Sequence, residues 1–171
     1  MKKLTIKSLI TSMVVVSPLL FSLDVSAALD GKIYSGAECE RHSGSTDYDR
    51  RYGMIRNLSK NKILTVMCPV TKDVFARSLN GGWMRLRDQN PMGNFRCVMH
   101  SKFRELDGSW VNSSSGNVYS EGDGPHTQKI EFSAVDLDHV AGGSNYYVMC
   151  KIPKKSDNGS SAIFSYSATE K

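Results

Sequence analysis

The side chains best suited to chemistry lie close together: Trp83, Arg85, Arg87, Arg96 and His100. Two short alternating runs carry them, 82–88 and 94–103, with Asn90-Pro91-Met92-Gly93 between them as a turn. Paired as an antiparallel hairpin, the runs set Arg87 opposite Arg96, Arg85 opposite Val98 and Trp83 opposite His100. Met84, Leu86, Cys97 and Met99 then share the core face, and the Trp, Arg and His residues share the outer one. Two arginines directly opposite repel unless an anion compensates, and Asp88 is the nearest candidate. An exposed indole beside guanidinium groups is a platform for a sugar ring or an anionic group. These five residues are the predicted ligand-binding set.

Other groupings carry less. In Asp136-Leu137-Asp138-His139 the two carboxylates share a side of an extended segment and could ligate a hard cation, but the segment reads as a polar turn between two strands. Glu121-Gly122-Asp123-Gly124 lacks the rest of a calcium loop. No Gly-x-Ser-x-Gly exists, and Ser43–Ser45 and Ser113–Ser115 read as serine-rich turns. The methionines Met54, Met67, Met84, Met92, Met99 and Met149 are dispersed along the chain and read mostly as flexible core filler, not as a copper(I) site. No metal and no cofactor is expected.

Cys39, Cys68, Cys97 and Cys150 contain no Cys-x-x-Cys pair, and only His42 and His100 lie within a few residues of a cysteine. Zinc spacing is therefore absent, and an even count points to two disulfides. Cys97 and Cys150 each sit mid-strand on a face with large apolar residues, which favours Cys97–Cys150 and leaves Cys39–Cys68. Each bridge is worth about 3–4 kcal/mol in the chain-entropy view.

No window sustains the apolar spacing of an amphipathic helix. Strands are expected at 52–58, 62–70, 82–88, 94–103, 127–135, 145–152 and 161–168, with weaker ones at 31–35 and 116–120. Alternation names a core of Leu64, Val66, Cys68 and Val70; Ile130, Phe132 and Ala134; Tyr146, Val148, Cys150 and Ile152; and Ile163 or Phe164. The Ser/Gly-rich stretch 106–126 reads as a long loop with a short strand near Asn117–Tyr119. The fold class is all-β, an antiparallel β-sandwich or jelly-roll-like domain.

Residues 1–27 predict an address. Lys2, Lys3 and Lys7 precede an apolar run at 9–23 broken by Pro18, and Val25-Ser26-Ala27 follows. That order is a secretory signal peptide, cleaved after Ala27, and its apolar run falls short of the roughly 20 residues that span a bilayer. Residues 28–171 then form a single domain, secreted or periplasmic. Losing Lys2, Lys3, Lys7 and Asp24 takes the net charge from +5 to +3. With no basic run longer than Lys154-Lys155, no nucleic-acid partner is expected. No second apolar run is present, so no stable membrane insertion is expected after cleavage.

Several motifs coincide with a known pattern: Gly36-x-x-Cys39, then Leu64-Thr-Val-x-Cys-Pro-Val-x-x-Asp73, then Tyr146-Tyr-Val-x-Cys-x-Ile-Pro153 and Ser165-Tyr166. The chain resembles an uncharacterised family of small secreted bacterial four-cysteine β proteins. The resemblance implies a disulfide scaffold and export, and carries no activity or site residues with it. Together these readings predict a non-enzymatic binding module for a glycan, an envelope component or a protein partner. The alternatives are a secreted hydrolase with an Asp/Glu/His site assembled by folding, and a secreted effector or inhibitor.

Overall fold

A computed structural model describes residues 30–72, 79–133 and 145–170. The expected leader and the cluster Asp136, Asp138 and His139 lie outside the described residues. The strands are β1 (Asp30–Ser35), β2 (Glu40–Gly44), β3 (Tyr48–Asp49), β4 (Ile55–Asn57), β5 (Leu64–Val70) and β6 (Leu79–Arg87). They continue as β7 (Arg96–Arg104), β8 (Trp110–Ser114), β9 (Val118–Tyr119), β10 (Gln128–Phe132), β11 (Asn145–Ile152) and β12 (Ala162–Glu170).

These strands form two antiparallel sheets. Sheet A runs β10-β6-β12-β4-β3, with β1 also on β12. Sheet B runs β2-β5-β11-β7-β8, with β9 also on β7. The sheets pack face to face as a β-sandwich. Period-two alternation supplies both inner faces. Met84 and Leu86 come from sheet A, and Val66, Cys68, Cys97, Met99, Val148 and Cys150 from sheet B; all are completely buried. Gly82 has a packing reason: a Cβ there would lie 2.0 Å from the Ser167 carbonyl oxygen and 3.0 Å from Met99 Cε.

The disulfides have the expected pairing: Cys97–Cys150 joins neighbouring strands of sheet B, and Cys39–Cys68 joins the residue before β2 to β5. Cys97 and Cys150 are directly opposite in register. From sheet A, Met84 Sδ reaches across to within 3.3 Å of Cys150 Sγ and 3.8 Å of Cys97 Sγ. Tyr166, also on sheet A, donates its hydroxyl to the Pro69 carbonyl of sheet B at 2.7 Å.

The expected hairpin between the two central runs does not form. β6 belongs to sheet A and β7 to sheet B, so residues 88–95 arch from one layer to the other. Asp88 explains the arch. It is completely buried and its carboxylate accepts four hydrogen bonds. Oδ1 accepts from the Asn90 N–H and the Ser161 hydroxyl, each at 3.1 Å. Oδ2 accepts from the Phe95 N–H at 3.3 Å and the Ser120 hydroxyl at 2.6 Å. Ser161 immediately precedes β12 and Ser120 immediately follows β9, so one carboxylate ties the two sheets together. Asp88 is thus no counter-charge for surface arginines.

A second carboxylate braces the β3–β4 corner. Asp49 is almost fully buried and receives Arg51 Nε at 2.8 Å and an Arg56 amino group at 2.6 Å. The hydrogen bond from Arg51, with further help from Arg56, lowers its pKa from 3.8 to about 2 against the opposing cost of burial. A carboxyl held lower when folded stabilises fully above its unfolded value and loses that contribution as pH falls through the folded one. Asp49→Asn should therefore melt below the wild type near neutrality, with the gap closing between about pH 4 and pH 2. A gap that stays constant over that acid range would contradict the pairing.

Candidate functional site

Because β6 and β7 lie in different sheets, the five predicted residues divide between two outer faces. Trp83, Arg85 and Arg87 stand on sheet A; Arg96 and His100 stand on sheet B. The side-chain parity expected of each run is correct, since Met84, Leu86, Cys97 and Met99 all point inward. The register that would have joined the two halves is absent.

On sheet A, buried Met84 and Leu86 force Trp83 and Arg85 outward by alternation. Trp83 lies opposite Glu131 of β10 on one side and Ser167 of β12 on the other. Ile33 of β1 continues that row beyond Ser167 and is 70% exposed. Arg85 lies between Lys129 and Ser165 in the next row. The Arg85 guanidinium and the Lys129 ammonium sit 5.9 Å and 5.8 Å from the Trp83 ring centre. Glu131 holds Lys129 at 2.7 Å, and that ammonium keeps the Glu131 carboxyl below its usual range. The opposed cations Arg85 and Lys129 are thus compensated by an acid and by a π face. Arg87 packs over Phe164, at 5.6 Å from its ring centre, where a register shift interrupts the β6–β12 ladder.

On sheet B, His100 stacks on Tyr147 with ring centres 5.1 Å apart. Burial holds the imidazole below its usual pKa, with a hydrogen bond from the ring to Asn112 opposing in part. Trp110 is 55% exposed, with Lys102 Nζ 4.6 Å and the Arg104 guanidinium 5.9 Å from its ring centre. Arg96 stands directly opposite Lys151, and both are exposed. A groove beside β9 and β10 is bordered by Glu121 and Glu131; Glu131 is held ionised by Lys129 and is no poised acid.

Sequence reasoning missed Lys129 and Glu131, which reach Trp83 only because β10 pairs with β6. It also missed Lys151, Tyr147 and Met149 as an outer row. The alternation that buried Tyr146, Val148 and Cys150 already placed those three on the opposite face. Met67 and Met149 are directly opposed there, so they are not the core filler expected of most methionines.

No protein-family model matches the chain, and no curated protein does. Among solved structures, the chain is similar to a low-affinity xylan-binding module from the gut symbiont Roseburia intestinalis. That match has 14% identity and a TM-score of 0.44, covering 83% of this chain and 96% of the module. A carbohydrate-binding domain of a multidomain xylanase from the hindgut metagenome of Trinervitermes trinervoides matches with 12% identity and a TM-score of 0.42. It covers 82% of this chain and 96% of that domain. A family two carbohydrate esterase from Cellvibrio japonicus matches with 8% identity and a TM-score of 0.42, over 84% of this chain and 34% of the esterase. These likenesses carry no ligand and no residue role onto this chain.

Proposed function

We propose that the protein is an exported, non-enzymatic binding module whose outer sheet A face takes a glycan at Trp83. The observation that carries the reading is the indole held outward on a sheet, with two cations, an acid and serines around it. Such a surface suits a pyranose. The ring offers an apolar face to the sugar C–H groups, and Arg85, Lys129, Glu131 and Ser165 offer donors and acceptors for hydroxyls. Export is supported by the basic, apolar and small-residue order of residues 1–27, together with two disulfides, which persist in oxidising compartments.

A glycan array supplies the test, followed by titration of the best-bound sugar. Trp83→Ala should weaken binding about tenfold or more, as loss of an aromatic anchor does, with the melting temperature close to wild type. Arg85→Ala should weaken it less. Binding unchanged in both variants would remove sheet A as the site.

A further inference from the structure

The outer face of sheet B has a gap in its hydrogen-bonded ladder. β7 pairs with β8 along residues 100–104 and with β9 along 96–97. Between these, the chain leaves the sheet at Gly116 and Asn117. Ser115 stays attached, its N–H donating to the Met99 carbonyl at 3.0 Å and its hydroxyl accepting from the Met99 N–H at 3.1 Å. Gly116 takes a positive φ of 79° to make the turn. The gap is a depression of about 250 Å³. Val98 and Met149 provide its apolar lining, and Arg96, Lys151, Asn117 and His100 its polar lining.

The charges here differ from those on sheet A. Arg96 and Lys151 are directly opposed on adjacent strands, a destabilising arrangement when nothing intervenes. Among the described residues no ion pair is formed by either, whereas Lys129 on the other sheet has Glu131. Two unbalanced cations beside a concave surface form a receptor for one anionic group. Val98 and Met149 beside them offer an aliphatic seat for the C–H edge of a sugar, with the His100 ring also in the lining; single-stranded DNA is therefore one arm of the test.

We infer that this depression is a second binding site, taking an acidic sugar whose carboxylate or sulfate lies between Arg96 and Lys151 while its ring rests on Val98 and Met149. The site stands on the opposite face from Trp83 and does not depend on the reading of sheet A.

The probes are polygalacturonate for a carboxylate, dextran sulfate for a sulfate ester, and neutral dextran, compared by affinity electrophoresis at low salt. Either or both acidic polymers should retard the wild-type protein more than dextran does. The double variant Arg96→Gln/Lys151→Gln should bind them about tenfold or more weakly, as loss of charge-assisted hydrogen bonds implies. It should leave any Trp83-dependent glycan binding unchanged. Lys151→Glu should lose polyanion binding yet melt at or above the wild-type temperature, because it replaces a repelling pair with an attracting one. Four results would overturn the inference: no retardation by either polymer, equal retardation of the double variant, equal binding of single-stranded DNA with the same loss, or loss of polyanion binding in Trp83→Ala. The last would place the anion on sheet A. A lower melting temperature in Lys151→Glu would refute the unbalanced pair.

Discussion

Replacing Asp88 with alanine is expected to cost about 3 kcal/mol or more, a large share of the total stability of a domain this size. The alanine variant leaves the Asn90 N–H and the Ser120 and Ser161 hydroxyls facing a cavity where a carboxylate accepted all three. Asparagine tests the charge separately. Each carboxylate oxygen takes one backbone N–H and one hydroxyl, so either orientation of the amide turns an NH2 group toward a backbone donor. The milder orientation faces Phe95, whose N–H keeps the Ser120 hydroxyl oxygen at 2.9 Å. The Ser120 hydrogen then has no acceptor. Asp88→Asn should therefore fall between wild type and Asp88→Ala, at a cost of about 1–3 kcal/mol. Urea midpoints with unchanged slopes would show the order. An asparagine variant as stable as wild type would mean that the buried charge contributes nothing.

The second large effect concerns Cys97–Cys150. Its ends are 53 residues apart, against 29 for Cys39–Cys68. In the chain-entropy view the longer loop gives about 4 kcal/mol and the shorter slightly less. The longer bridge also carries a packing contribution. It lies at the centre of sheet B between β7 and β11, with Met84 of the other sheet resting on both sulfurs. Replacing both cysteines by alanine removes those contacts and leaves Met84 beside a void. Cys97→Ala/Cys150→Ala should thus melt well below Cys39→Ala/Cys68→Ala, whose bridge ties the edge strand β2. Equal melting temperatures would show that Met84 and the central position add nothing.

How much of this was legible in the sequence depends on how local each signal is. Alternation is local, so the inner faces of β5, β10 and β11 could be read residue by residue, as could those of β6 and β7. The disulfide pairing followed from the same parity. β2 and β8 escaped because they lie at sheet edges with no buried residue in either, so neither shows the alternation a strand is read from. The hairpin expectation failed for a non-local reason. Asp88 reads as a counter-charge at the end of a strand, and nothing nearby in sequence reveals that Ser120 and Ser161 converge on it. The ligand set was legible as side chains on outer faces and illegible as a group, because sheet assignment decides which of them meet. Lys129 reaches Trp83, and Lys151 reaches Arg96, through pairings that only the assembled sheets create.

The pairing of β1 with β12 sets Asp30 opposite Glu170, so both ends of the described fold leave from the same point of one ladder. Tension applied between those ends loads the β1–β12 hydrogen bonds one after another, as in a zipper, rather than all together in shear. β1, paired only with β12, peels first and at low load. The chain enclosed by the two cross-links in the other sheet, 39–68 and 97–150, cannot be drawn out at all. A module tethered at both ends would stretch by a limited amount, with Arg96 and Lys151 still side by side because each flanks the Cys97–Cys150 bridge.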